Sequence, residues 1–402
     1  MHFSSLVDRL AGKRTDAWQI HYRALEAQAA GREVFILSVG DPDFATPSRI
    51  TERAVSALRA GDTHYSEVNG RLGLRRAIAQ MHSAQTGQAV SADQVTVVAG
   101  AQNGLFATAQ CLCEAGDEVL VPEPMYLTYE ASIRASGATL VPVAVHASDG
   151  FHLRAAAFVR AITPRTRAIF LATPNNPTGA VMHHDELAAI AELAQAHDLW
   201  VVADEVYAGL TFEQPHLSMA SLPGMAARTV TIGSLSKSHA MAGWRVGWVV
   251  SPPTLAAHLE RLALCMLYGL PGFIQEAAQL AIEERELIVK TMRETYRHRR
   301  DVCYALLSGV EGLACSLPEA GMFMLLDVRG SGLSAHDFAW QLFEETGVAV
   351  LDASAFGDSA SGFVRLGFVL EEERLAEACR HIAAFSRQLQ RQQLGIASGS
   401  AA

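Results

Sequence analysis

The stretch TVTIGSLSKSHAMAGWRVGW, running from Thr229 to Trp248, decides how this chain reads. Thr229 to Ile232 is apolar and β-branched, the pattern of a buried parallel strand, and it breaks into Gly233, Ser234, Leu235 and Ser236 just before Lys237. The lysine therefore lies just past a strand end. Eight residues on comes Arg245, then Gly247, so a second cation and small hydroxyl residues lie close to the first. In an open α/β sheet, ligands bind outside the carboxyl ends of the strands. Alone, a lysine in a Ser-rich loop reads as a solvated surface residue, because Lys is mostly exposed and loops are polar. Its meaning depends on what the other strand ends carry.

Outward from this stretch, strand and helix alternate. Strand QVTVVAG precedes a helix from Gln102, EVLVPEP one near Leu127, ATLVPV one from Leu153, and AIFLATPNN one from Asp185; LWVVADE and TVTIGS complete the series. These apolar, non-alternating strands predict an α/β fold with a mainly parallel central sheet covered by helices on both faces. Upstream, VFILSVGDPDF (Val34 to Phe44) reads as a short strand running into a turn. Downstream, Gln275 to Leu307 reads as one long helix, after which CSLP, MFMLLDV, GVAVL and GFVRLGFV surround a helix from Ala335 and lead to a terminal helix from Glu371. That change of style predicts a smaller α+β domain. The expected division is an N-terminal segment, 1–45, packing with the small domain; a large domain, 46–285; a small domain, 286–392; and a frayed, disordered tail, 393–402.

Composition narrows the function classes. A chain of 402 residues, 50% hydrophobic and 18% charged, has the make-up of a folded protein with an ample core. Its net charge of -10, with no long basic run, argues against nucleic acid as partner. The six cysteines form no CxxC pair, and Asp8, Arg9, Lys13 and Arg14 precede any long apolar run, so neither a disulfide framework nor a secretory signal is expected. The apolar stretch Leu262 to Ile274 is broken by Gly269, Pro271 and Gly272 and is too short to span a bilayer. A cytoplasmic protein without a membrane partner is the expectation.

The polar residues at successive strand ends would all face one rim of a parallel sheet. Gly100 to Gly104 follow VTVV; Tyr126 follows EVLVPEP; Asn175 to Gly179 follow IFLATP. Asp204 and Tyr207 follow LWVVA, and Ser234 and Lys237 follow TVTI. A lysine, a carboxylate, a phenol, an amide and a small-residue helix start suit a cofactor with an aldehyde, a heteroaromatic nitrogen, a phenolic oxygen and a phosphate. Pyridoxal phosphate has all four.

With these residues in view, the sequence resembles the fold type I, class I aminotransferases from about Ser38 to Gly367. The resemblance implies the PLP-dependent transferase fold type I, and Lys237 of SLSK as the catalytic lysine that carries the cofactor. Its amine must fall from about 10.4 to be free base when it moves a proton. Asp204 resembles the carboxylate that pairs with the ring nitrogen; Tyr207 and Asn176 match the pair that bonds the ring oxygen. Ala101 and Gln102 match the phosphate cradle, joined by Ser234 and Arg245, and Tyr126 the aromatic ring stacked on the cofactor. Tyr65, in HYSEVNGRLGLRRAI, matches the tyrosine that reaches the phosphate of the neighbouring subunit, which implies a homodimer with shared active sites. Arg365 in FVRLGF matches the arginine for the substrate carboxylate, and Gly40 a backbone contact to the same group. Gly367 departs from the Ser frequent there in relatives.

Amino-acid and 2-oxo-acid substrates follow from the same resemblance. The stretches HYRAL, SVGDPDF, SLSKSHAM and ALCMLYG are most similar to the arginine and pyruvate transaminases, and an arginine donor calls for a carboxylate at the site mouth, for which Glu67 is the candidate by position. His183, His184 and Asp185 read as a helix start capped by Asp185 rather than a metal site, since adjacent histidines diverge and no third ligand is near. A β-lyase could use the same residues. A non-catalytic sensor would need a DNA-binding module, for which the fold's early start leaves no room.

Overall fold

Val95–Val98, Glu118–Glu123, Thr229–Ser234 and Gly247–Val250 bury every one of their residues, which is what strands covered on both faces require. They belong to a seven-stranded sheet in a computed structural model that describes residues 1–10 and 15–399. The strand order is Val95–Val98, Gly247–Val250, Thr229–Ser234, Trp200–Asp204, Thr166–Ala172, Glu118–Glu123, Thr139–Ala144. Parallel pairing runs through the last five, as the alternation of strand and helix predicts.

Gly247–Val250 is the departure. It runs antiparallel to both Val95–Val98 and Thr229–Ser234 and was not foreseen as a strand. Only the dozen residues between Ser234 and Gly247 join it to the lysine strand, too few for a crossover helix, so the chain must turn straight back. Gly247 thereby lies opposite both Val98 and Ser234. A Cβ at Gly247 would sit 2.7 Å from the Ala101 nitrogen, so the close approach of three strand ends depends on glycine there.

Other differences are local. The expected single helix from Gln275 is two, Gly272–Glu283 and Arg285–Leu307, broken at Glu284. An unforeseen helix, Pro253–Met266, starts on proline, whose missing N–H costs nothing at that position. Residues 393–399, expected to fray, continue the terminal helix Glu372–Gly399, where Gln390 Nε2 donates to the Gly330 carbonyl at 2.6 Å and Gln393 Nε2 to that of Ser331. Residues 400–402 of the expected tail lie outside the described residues.

A second, four-stranded antiparallel sheet orders Leu351–Asp352, Phe363–Gly367, Phe323–Asp327 and Ala314–Cys315. Phe35–Ile36 pairs in parallel with Val348–Ala349, and Ile20, Ala24, Val34 and Leu37 share one buried cluster with Phe338, Leu342 and Leu375. Among the described residues no helix is long and apolar enough to cross a membrane.

The turn after the first strand is held by charge. Asp43 accepts from both Nη atoms of the buried Arg299 at 2.7 and 2.8 Å, and the same guanidinium donates to the Phe368 carbonyl and lies 4.8 Å from the Phe44 ring. Removing the carboxylate leaves a buried charge with no counter-ion among the described residues. Asp43→Ala is therefore expected to destabilise the fold by about 3 kcal/mol, read as a shift of the urea midpoint at unchanged slope.

Candidate active site

Lys237 lies three residues past Ser234, in the loop that returns to Gly247, and its Nζ donates to the Gly40 carbonyl at 2.5 Å. Burial pushes its amine down from 10.5 to about 8; Asp41 opposes the shift, and the Arg365 and Arg245 cations add to it. A Cβ at Gly40 would meet Phe323 Cζ at 2.1 Å, so the first-strand turn reaches the lysine only because residue 40 has no side chain. Around the lysine, one cavity is lined by Gly40, Ala101, Gln102, Tyr126, Asn176, Asp204, Tyr207, Ser234, Arg245 and Arg365. The structure thus brings together ten of the expected side chains and backbone contacts with Lys237.

At the end of strand Trp200–Asp204, the Asp204 carboxylate accepts from Tyr129 Oη at 2.7 Å and from the Val206 amide at 3.2 Å. Burial raises it to about 6, against the lowering effect of those two hydrogen bonds. No Lys or Arg forms an ion pair with it among the described residues. Arg365, in strand Phe363–Gly367, is the opposite case. It is 2% exposed, with Nη1 donating to Asn176 Oδ1 at 3.0 Å and Nη2 to the Ser38 carbonyl at 2.7 Å. Among the described residues its Nε has no acceptor; the Phe323 and Phe356 ring centroids lie 4.1 and 4.7 Å from its Cζ, and burial lowers the guanidinium to about 10. A buried guanidinium without a carboxylate asks for an anionic ligand.

The third charged corner is at the start of helix Ala101–Leu112. Arg245 reaches the Ala242 and Ala99 carbonyls at 2.6 and 3.3 Å, beside Gly100, whose φ of +80° and missing Cβ make room for it; a Cβ there would meet Arg245 Nη2 at 2.4 Å. The first-turn amides of Ala101 and Gln102 have no intrahelical acceptor, which with Arg245 and the buried Ser234 hydroxyl makes an anion cradle. An unpaired carboxylate, an unpaired buried guanidinium, a cradle for a dianion and a depressed lysine fit pyridoxal phosphate and an amino-acid carboxylate together. The residues present accommodate the group.

Two expected residues stand apart. Tyr65 is 87% exposed and packs on Tyr268 with ring centroids 4.8 Å apart, and Glu67, also exposed, accepts from Ser66 Oγ at 3.1 Å. Neither lines the cavity of its own chain. Conversely, the sequence reading missed Tyr129, Trp18 and Phe323, which do line it. Tyr129 had a faint signal in YLTY, one helical turn after Tyr126; Trp18 had none, because its position depends on the packing of the N-terminal segment.

The helix start at His183 also differs from expectation. His183 itself caps helix His184–Ala196, in a reciprocal box with Glu186, while Asp185 is fully exposed beside His184. Nor is His183 without neighbours: the fold brings His152, Glu186 and Glu319 to it.

A profile of the family described as Aminotransferase class I and II matches residues 32–382. The chain belongs to that family, and it is a pyridoxal-phosphate-dependent aminotransferase of fold type I. It is 53% identical over 389 residues to the arginine--pyruvate transaminase AruH of Pseudomonas aeruginosa, covering 97% of this chain and 99% of that one. It is 35% identical to the putative aminotransferase YugH of Bacillus subtilis, covering 86% and 89%. Among solved structures, the aspartate aminotransferase from Thermus thermophilus with maleate superposes with a TM-score of 0.90 at 32% identity, covering 96% of this chain and 99% of that one.

The depressed lysine has a measurable sign. Between about pH 8 and 10.5 the folded, cofactor-free chain holds the Lys237 amine neutral while the unfolded chain holds it charged, so folding gains stability as pH rises through that window. Lys237→Met removes the gain. An amine-acylating reagent should label Lys237 of the cofactor-free protein with a midpoint near pH 8, measured by peptide mass spectrometry; a midpoint at the ordinary lysine value would contradict the burial argument.

Proposed function

We propose that this aminotransferase moves the α-amino group of arginine to pyruvate. The observation that carries the choice of substrates is the 53% identity, along nearly the whole of both chains, to an enzyme named for that reaction. Lys237 is the catalytic residue. Bound pyridoxal phosphate supplies an electron sink for the charge left on the substrate Cα. Lys237 takes the proton from that carbon at Nζ, whose proton affinity burial and two nearby cations lower toward the range a general base needs. Asp204, held by Tyr129, offers its carboxylate to the protonated ring nitrogen and keeps the proton there. Tyr207 and Asn176 serve the ring oxygen. The amides of Ala101 and Gln102, with Ser234 and Arg245, hold the phosphate, and Tyr126 covers the ring face. Arg365 binds the substrate α-carboxylate, already aimed by Asn176 and the Ser38 carbonyl, with Gly40 closing the same corner.

The same reading makes the enzyme a cytoplasmic homodimer divided at about residues 45 and 285. The exposed Tyr65 and Glu67 then serve the site of the partner subunit, Tyr65 at the phosphate and Glu67 at the donor guanidinium, which explains why neither lines the cavity of its own chain.

An amino-donor screen with pyruvate and 2-oxoglutarate as acceptors tests the substrates: arginine with pyruvate should give alanine fastest, whereas release of ammonia without alanine would favour the β-lyase reading. Glu67→Gln should raise KM for arginine far more than for alanine; equal effects remove its role. Arg365→Lys, which loses the fork geometry, should lower kcat/KM by about thirtyfold or more, equivalent to about 2 kcal/mol.

A further inference from the structure

The His183 corner holds two imidazoles and two carboxylates that no step above uses. His152 follows the short helical turn Ala147–Asp149; His183 and Glu186 open helix His184–Ala196; Glu319 precedes strand Phe323–Asp327. His152 Nδ1 is 3.0 Å from Glu186 Oε2, and Glu319 Oε1 is 3.7 Å from His152 Nε2 and 3.5 Å from His183 Nε2. The two rings lie 4.5 Å apart. One donor atom each from His152, His183 and Glu186 falls within 4.8 Å of the other two.

We propose that His152, His183 and Glu186 bind a divalent transition-metal ion of the zinc class, with Glu319 as the carboxylate that orients the histidines. Zinc bonds of about 2.0–2.1 Å set tetrahedral donors about 3.4 Å apart. The Nδ1 to Oε2 separation is already short enough, and all three donor atoms lie within 4.8 Å of one another, so side-chain movements of about an ångström close the set. An imidazole gives one ion only one of its nitrogens. An ion on the Glu186 side takes His152 through Nδ1 and leaves its Nε2–H facing Glu319, the carboxylate–histidine–metal arrangement of many metal sites. The ion replaces the proton shared between His152 and Glu186, which leaves to solvent.

The other Glu319 oxygen accepts from the Val181 amide at 2.7 Å, and the Glu319 and Ala320 amides both donate to the Gly179 carbonyl. Gly179 and Val181 belong to the loop that carries Asn176. A bound ion would therefore tie the helix start and the Glu319 segment to that loop, as a fastening and not as a participant in the reaction.

The test uses the holoenzyme, stripped with EDTA and dialysed against zinc chloride, with bound metal counted by mass spectrometry and melting followed by circular dichroism. About one ion per chain, a raised Tm reversed by EDTA, and a tetrahedral absorption band with cobalt(II) are expected. His152→Gln should abolish retention, Glu319→Gln should weaken it about ten- to a hundredfold, and His184→Gln should leave it unchanged. Wild-type protein that retains no more zinc than His152→Gln, or that takes up cobalt(II) without the tetrahedral band, overturns the proposal whatever the stability of the variants.

Discussion

The site depends on two charges that the protein buries without neutralising. Among the described residues Arg365 has an amide oxygen, a carbonyl and two aromatic rings about it but no carboxylate, and Asp204 has a phenol and an amide but no cation. Either would be costly if it served only the fold, because one unpaired ion in a low-dielectric interior loses far more hydration than hydrogen bonds to neutral groups restore. Placed on the walls of one cavity that also holds Lys237, they form the electrostatic negative of a ligand with a cationic ring and an anionic tail. Proximity to those walls also tunes the lysine, since Arg365 adds to the burial that lowers it. In the proposed reaction, binding energy, proton affinity and orientation would thus be set by the same few side chains.

The scaffold supplies this arrangement through an irregularity in the sheet. A purely parallel succession would send the chain from Ser234 into a covering helix and carry Lys237 and Arg245 apart. The immediate return to Gly247 keeps both cations in one short loop, and register with Val98 sets that loop against the start of helix Ala101–Leu112. Gly100, Gly247 and Gly40 are each filled, in effect, by a neighbour: a guanidinium, a backbone amide and the Phe323 ring.

Much of this was legible from the residues. Parallel strands announce themselves by unbroken apolar runs, and the rule that their carboxyl ends share a rim is enough to gather Asn176, Asp204, Tyr207 and Lys237 from the sequence alone. What escaped has physical causes. GWVV, four residues long, carries no period that separates strand from loop, so its antiparallel insertion was invisible. Trp18 enters the cavity from a segment whose own sequence says nothing about the sheet. The terminal helix ran past its expected end because two glutamine side chains fasten it to the Gly330 and Ser331 carbonyls, a tertiary contact that overrides the small-residue composition of the tail. His152, His183, Glu186 and Glu319 come from three separate stretches and meet only through folding.

The pairing of Phe35–Ile36 with Val348–Ala349 sets a timetable for the chain as it leaves the ribosome. The two strands are 313 residues apart, so at roughly 5–20 residues per second the first waits on the order of tens of seconds for its partner to be made. Through that interval Ile20, Ala24, Val34, Phe35 and Leu37 have no finished surface to cover them. The central sheet, whose strands all fall between residues 95 and 250, can assemble meanwhile. Nascent chains of this enzyme should therefore present a nearly complete sheet with an uncovered greasy leader, a natural handle for a chaperone that attends the ribosome exit.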